Sequence, residues 1–332
     1  MSVYDPNACS IPKPTKLSAP IMVGGTEVWE EPYNRVQIFG SMLKYMGKWR
    51  MFYMSQYGIA ADGNKLHNIG YAEADSPSGP WRKPVVGSRN GLCSSVVLKD
   101  EDAFSCYFDT YAEKFRGLGT VNRAESTNGV DWLCSTVDYR GGPISLIRHQ
   151  PFSPNNGFPF VATVRGEAIV NGEAKRRVAF VESGDWSTWS AKQYLSAFDS
   201  PDNYATQPYG LAMTSYGGKI IALVPWLHLD QGSNQIGQVD AELVCTTPPA
   251  NATSLSQCTW TRTYQPFLSC GASGSFDYGM VLPSSMVIED GTVYIPYTAQ
   301  KEKHGIVPAP GSMTIGLATM TQTQLDAALG GV

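Results

Sequence analysis

The chain has 332 residues, of which 42% are hydrophobic and only 16% charged, with a net charge of −4. Its 33 Gly and 22 Pro exclude a disordered or helix-rich polypeptide and point to many short strands joined by turns. No basic stripe serves nucleic acid and no apolar run reaches the roughly 18 residues of a membrane-spanning helix, so neither partner is expected. Met1 to Ile11 carries neither the charged nor the apolar region of a signal peptide.

In chain order, one unit recurs. Gly47–Tyr53, Ile69–Glu73 and Ser78–Trp81 give two strands of a hairpin-type array followed by a polar turn and a tryptophan. Ala103–Phe108, Val121–Ser126 and Asn128–Trp132 repeat the pattern. So do Phe158–Val164, Val178–Ser183 and Ser187–Trp189, then Gly218–Val224, Val239–Val244 and Thr259–Trp260. The last copy, Gly291–Tyr297 and Ile315–Thr319, stops before any tryptophan. A further strand candidate precedes each copy: Val36–Lys44, Cys93–Lys99, Ile144–His149, Tyr209–Ser215 and Met280–Ile288.

Four antiparallel strands per unit, repeated radially, describe an all-β five-bladed β-propeller, in which each blade buries its faces against its neighbours. The blades fall at about 33–84, 90–135, 143–192, 205–264 and 276–322, in one domain over residues 1–332. Ala19–Val23 is expected to supply the missing outer strand of the fifth blade and so remove an exposed sheet edge.

These residues also resemble a known group. Ile69–Trp81, ending Ser-Pro-Ser-Gly-Pro-Trp, and the Ser126–Trp132 turn are similar to the blade signature of the five-bladed glycosidases, glycoside hydrolase families 43 and 32. Phe276–Met280, Val293–Tyr297, His304 and Ile315–Thr319 resemble the last blade of uncharacterised relatives, and Val161–Arg165 with Arg176–Val178 fits the same group. The resemblance spans residues 20–320 and implies the propeller fold and a glycosidase activity. The chain departs from it where the catalytic residues matter. Tyr4-Asp5-Pro6-Asn7 is a partial echo of the family-32 nucleophile segment, and the family-43 Asp-Pro is replaced by Trp29-Glu30-Glu31-Pro32.

In such a fold the starting ends of the innermost strands, and the turns after the second strands, gather at one channel mouth. Carboxylates there could serve as acid and base of glycoside hydrolysis. Glu73, Glu125 and Glu182 recur at equivalent positions and are read as structural. The acids that occur once are the catalytic candidates: Glu30 or Glu31 as base or nucleophile, Asp109, Asp277, and Glu242 as general acid. Asp100, Glu101 and Asp102 read as a solvated turn. Arg165, Asp202, Gln207, Tyr209, Trp226, His228 and His304 are the substrate-binding candidates, with Tyr57 and Tyr297 in the same layer.

The expected partner is a carbohydrate, acting on a monomer without cofactor or metal. Alternatives are a non-catalytic carbohydrate-binding propeller and a sugar phosphorylase or transferase, which needs Arg, Lys and His at the mouth. Mouth residues that differ between blades favour one asymmetric site over lectin-like repeats. None of the seven cysteines forms a CxxC or Cys/His cluster. Cys245 and Cys258 bracket a loop that a disulfide could close, the other reading being buried free thiols. Asn251-Ala252-Thr253 fits a glycosylation site. The low charge and that disulfide lean towards an extracellular setting.

Overall fold

The computed structural model describes residues 3–40, 42–61, 63, 65–84, 96–99, 103–120, 122–137, 141–149, 159–170, 172–200 and 205–330. The chain is nearly all-β. After a short strand β1 (Thr15–Lys16), five strand groups follow in order. In the first, β2 (Val36–Gln37) and β3 (Met42–Tyr45) share the partner β4 (Lys48–Ile59), which pairs with β5 (Lys65–Ala74), and β5 with β6 (Val96–Lys99). The second is a meander of β7 (Phe104–Asp109), β8 (Lys114–Gly119), β9 (Asn122–Ser126) and β10 (Leu133–Thr136). The third runs β11 (Pro143–Arg148), β12 (Phe160–Val170), β13 (Glu173–Ser183) and β14 (Gln193–Tyr194).

In the fourth, β15 (Thr206–Pro208) and β16 (Ala212–Tyr216) share β17 (Lys219–Leu229), followed by β18 (Gly237–Thr246) and β19 (Thr261–Leu268). In the fifth, β20 (Met280–Pro283) and β21 (Val287–Glu289) share β22 (Thr292–Gln300), followed by β23 (Met313–Thr321). A single parallel bridge, Val239 to Met280, joins the last two groups into one ten-stranded sheet; among the described residues every other strand pairing is antiparallel. Helix α1 (Gln322–Gly330) ends the description and buries Leu325, Ala328 and Leu329 against β22 and β23.

Three innermost strands are interrupted, and each break leaves backbone groups that need partners. Neighbouring groups supply hydroxyls. Thr298 bonds both the N–H and the carbonyl of Ile38, and Ser284 accepts from the Gly40 N–H. Ser145 accepts from the Met213 N–H and donates to the Leu211 carbonyl, while Thr214 does the same for both backbone groups of Met286. Ser105 donates to the Gly40 carbonyl. Polar residues on otherwise apolar inner strands are therefore stitches between strand groups.

The repeated tryptophans fill the spaces between sheets. Trp132 packs edge-on against Phe52 of the first group and Phe104 of the second at 5.4 and 5.5 Å. Trp260 does so against Phe198, and in the third group Trp189 of the repeat packs on Trp186, which in turn meets Phe160. Each such ring removes about 150–250 Å² from water, worth several kcal/mol.

Two expectations about strands change. The stretch expected to open the second blade, Cys93–Lys99, appears within the described residues as β6, on the outer side of β5; Cys93 lies outside them. The innermost strand of the second group is β7, which packs beside β11 and β3. Second, the edge of β23 is covered by Thr15–Lys16, with Met22 bridging Ile315, so only the end of Ala19–Val23 takes part. The cysteine bridge is also corrected: Cys245 and Cys258 are free thiols, and burial pushes Cys258 up to about 11.

Candidate active site

The connections β4–β5, β12–β13, β17–β18 and β22–β23 lie at the same end of their sheets. There a cavity of about 670 Å³ opens. Its floor is apolar, from Met54, Met280, Leu282 and Met313, and its walls carry Tyr33, Arg35, Gln37, Gln56, Lys65, His67, Arg165, Tyr209, Gln235, Gln300 and His304. No aspartate or glutamate lines it among the described residues.

Strand geometry puts these side chains together. Gln56, near the end of β4, stands in register with His67, near the start of β5. Gln56 Oε1 accepts from Arg35 Nη1 at 3.0 Å, and Arg35 Nη2 donates to the Pro308 carbonyl. Arg35 is only 6% exposed, its Nε has no hydrogen-bond partner, and burial lowers its pKa. Arg165 sits where β12 outruns its partner β11, so its side chain is exposed at the rim. Tyr209 occupies the break between β15 and β16, with the Arg176 guanidinium 4.9 Å over its ring.

His304 is held by a bridge between two loops. It exchanges backbone bonds with Gly237, and its Nδ1 lies 2.8 Å from the Gln235 carbonyl. A carbonyl only accepts, so Nδ1 carries the proton and the neutral ring offers Nε2 as an acceptor. Gly305 has a φ of +85°, and a Cβ there would meet the Gln235 carbonyl at 2.7 Å, so only glycine lets the two loops meet. The His304 ring packs edge-on against Tyr209 at 5.3 Å. Burial lowers its pKa, and Arg176, Lys65 and Arg165 lower it further.

Of the sequence-predicted residues, Arg165, Tyr209 and His304 meet in this cavity. The carboxylates do not. Glu30 is fully buried: Oε2 accepts from the Gly25 and Thr26 N–H groups, and Oε1 pairs with Lys83. It anchors the loop ahead of β2. Its neighbour Glu31 is exposed and outside the cavity lining. Asp109 ends an innermost strand, not a second strand, and so lies at the opposite end of the sheets. There Arg116 Nε (2.7 Å) and Arg148 Nη1 (2.9 Å) hold it. Burial works against its charge, but the two arginines prevail and its pKa is lowered.

Asp277 is buried and pairs with Lys16 of β1 at 2.6 Å, with Ser275 and Tyr297 donating to it. Glu242 is fully buried under Arg262 (2.7 Å), Trp226 Nε1 (2.9 Å) and the Tyr264 N–H (2.7 Å). That contact also removes Trp226, which is 0% exposed. Gln207 is buried and accepts from the Arg176 N–H, while His228 Nε2 pairs with Asp240 at 2.8 Å. Tyr297 is buried, and neither it nor Tyr57 lines the cavity. Asp202, Asp100, Glu101 and Asp102 lie outside the described residues.

The repeated acids are spent as the pattern implied: Glu182 accepts from the Leu255 N–H and Ser254, Glu125 from Arg116, and Glu73 from Tyr71. Sequence reasoning missed Arg35, Gln56, Lys65, His67 and Gln300. The signal was present in Gln56 and Gln300, polar residues ending long apolar strands.

No family model matches the chain and no curated protein matches it in sequence. Solved structures do. One is an N-acetylgalactosamine deacetylase from F. plautii in complex with blood group B trisaccharide, at TM-score 0.62 and 12% identity, covering 95% of this chain and 96% of that one. The second is reported under the GH130 family of mannoside phosphorylases, which contains glycoside hydrolases that target β-1,2 mannosidic linkages in Candida mannan. It matches at TM-score 0.56 and 16% identity, over 96% and 93%. The third is the catalytic domain of a Coprinopsis cinerea GH62 α-L-arabinofuranosidase, at TM-score 0.56 and 10% identity, over 96% and 98%. At these identities the likeness is one of fold.

Proposed function

We propose that the chain is a carbohydrate-active enzyme that cleaves a glycosidic bond in this cavity, on the scaffold of a single-domain, five-bladed β-propeller. One observation carries the reading: four strand groups send polar side chains into one apolar-floored cavity, and apart from glutamines at matching places on β4 and β22 the sets differ from group to group. Arg35 and Gln56 come from the first group, Arg165 from the third, Tyr209 and Gln235 from the fourth, Gln300 and His304 from the fifth. A saccharide presents hydroxyls around an apolar ring face, which suits glutamines, a tyrosine and a neutral histidine above methionines. A lectin-like propeller would repeat one set instead.

The hydroxyl stitches support the ring. They link the first group to the second and fifth, the third to the fourth, and the fourth to the fifth, while β7 packs on β11 between the second and third. Arg165, Tyr209 and His304 are proposed to bind substrate. The reading takes the protein as a monomer without cofactor, and places it outside the cell on low charge alone.

Hydrolysis by paired carboxylates needs two of them about 5–9.5 Å apart. The absence of acids from the described lining favours a second reading, transfer of the glycosyl group to phosphate, because phosphate needs cations around it. The test is a panel of oligosaccharides and aryl glycosides, with and without inorganic phosphate, read as released sugar and sugar phosphate. Turnover lost in Y209A at an unchanged unfolding midpoint is the expected result. Turnover only with phosphate selects the second reading. Binding without turnover across the panel would reduce the protein to a carbohydrate-binding module.

A further inference from the structure

We infer that the cavity contains an oxyanion subsite formed by Lys65 and Arg165 of its lining beside the Tyr209–His304 pair, with Arg176 behind Tyr209 and outside the lining, so that its ligand carries a carboxylate, sulfate or phosphate group. The inference rests on the carbohydrate reading of the same cavity and names the chemical class of what it takes.

Three observations converge. First, the pairing of cations is uneven across the molecule. Lys16, Lys44, Lys48, Lys83, Arg116, Arg148, Arg177, Arg262 and Lys303 each have a carboxylate within 4.0 Å. Among the described residues Arg35, Lys65, Arg165 and Arg176 have none; Lys13, Arg50, Arg82, Arg123, Lys192, Lys219 and Lys301 also have none, but of these eleven only Arg35, Lys65 and Arg165 line the cavity. Glu302, whose charge acts on Arg35, takes a hydrogen bond from Ser312 at 2.6 Å, and Glu167 stands opposite Arg176 across the β12–β13 pair without an ion pair to it. Second, these cations converge. Arg176 lies over the Tyr209 ring, Lys65 and Arg165 line the cavity beside His304, and all three act on that histidine. Like charges gathered without a counterion repel one another, and an anion held between them removes that repulsion. Third, Arg35 is buried in the same wall, fixed by Gln56 and the Pro308 carbonyl, with Nε unsatisfied. A buried guanidinium without a carboxylate adds a fixed positive field to the pocket.

Such an oxyanion has two sources. It can belong to the saccharide, as a uronate carboxylate or sulfate ester, or it can be free phosphate entering as a second substrate. Isothermal titration of the full chain distinguishes them with three probes: inorganic phosphate, a trigalacturonate and the neutral trigalactose.

The expected result is that at least one anionic probe binds ten-fold or more tighter than the neutral one, weakening as salt rises. Arg165→Gln and Lys65→Gln should each weaken that anion about ten-fold, as loss of one charge-assisted bond does, and weaken trigalactose far less, so that the preference for the anion falls. Trigalacturonate without phosphate binding assigns the charge to the glycan, and phosphate binding assigns it to the free ion.

Equal affinity for trigalacturonate and trigalactose, with no phosphate binding, overturns the subsite and leaves the carbohydrate reading standing. Phosphate binding without any binding or turnover across the glycan panel keeps the subsite and sinks the carbohydrate reading. Tight anion binding that survives the Arg165→Gln, Lys65→Gln double variant also overturns the assignment.

Discussion

The two ends of the inner strands treat charge in opposite ways. At the β7–β8 end, Asp109 sits between Arg116 and Arg148, and Arg116 reaches on to Glu125 at 2.6 Å. Phe160 lies under both guanidiniums, at 5.1 and 5.3 Å. Each of these four charges is answered within the chain. At the cavity end Lys303 is paired with Asp230, but Arg35, Lys65, Arg165 and Arg176 have no carboxylate within 4.0 Å among the described residues. A closed network holds strands together and offers little to a ligand. An open one costs the free protein repulsion and leaves a field that only a ligand can answer. Catalytic candidates picked for being acidic therefore fell mostly in the closed networks.

The largest effect should come from opening a closed network. Asp109→Asn leaves two arginines facing each other without a counter-charge, and Glu242→Gln does the same beneath Arg262. Each should cost about 3–5 kcal/mol, the range for breaking a buried pair from one side. Urea unfolding measures it. Losses below about 1 kcal/mol would mean that these pairs are not what holds their sheets.

A smaller effect depends on pH. His149 is fully buried beside Ser215 (2.8 Å), and burial brings its pKa from 6.5 to about 4. The unfolded chain takes up this proton from about pH 6.5, and the folded chain refuses it until about pH 4. Stability is thus fully present above pH 6.5 and declines as pH falls to about 4, by about 3 kcal/mol. Asp109, with its lowered pKa, holds its contribution above about pH 4 and loses it only below. A His149→Gln variant should lose the slope between pH 6.5 and 4 and keep the acid limb. An unchanged slope would move its origin elsewhere.

This division explains what could be read from the sequence. Strand groups and tryptophans were legible because alternation and a terminal aromatic recur with the architecture, and Trp132 and Trp260 are where that pattern put them. The second group was misread because Ala103–Phe108 is apolar enough for either an inner or a second strand, and only its contact with β11 decides. That one shift sent Asp109 to the wrong end. Arg165 and His304 were found because each was read as following a second strand, and Tyr209 because it was read as opening an inner strand, positions that face the cavity end. Arg35 and Lys65 were not, since a lone arginine before a strand and a hairpin lysine look solvated until packing shows what lacks a partner. Whether Asp277 or Glu30 has a counterion depends on Lys16 and Lys83, 261 and 53 residues away, a distance no local pattern spans.

The smallest effect separates the two ends most cleanly. Arg165 is exposed, donates no side-chain hydrogen bond among the described residues, and stands near Lys65 and Arg176. Its only ring contact among the described residues is with Phe39, at 5.9 Å. Removing its charge takes away repulsion as well as that weak contact. Arg165→Gln should therefore leave the unfolding free energy within about 0.5 kcal/mol of the wild type, as surface changes do, with any shift towards greater stability at low salt. The same substitution at Arg116, inside the closed network, should destabilise like Asp109→Asn. If Arg165→Gln unfolds as readily as Arg116→Gln, the cavity cations are structural after all, and the contrast between the two ends disappears.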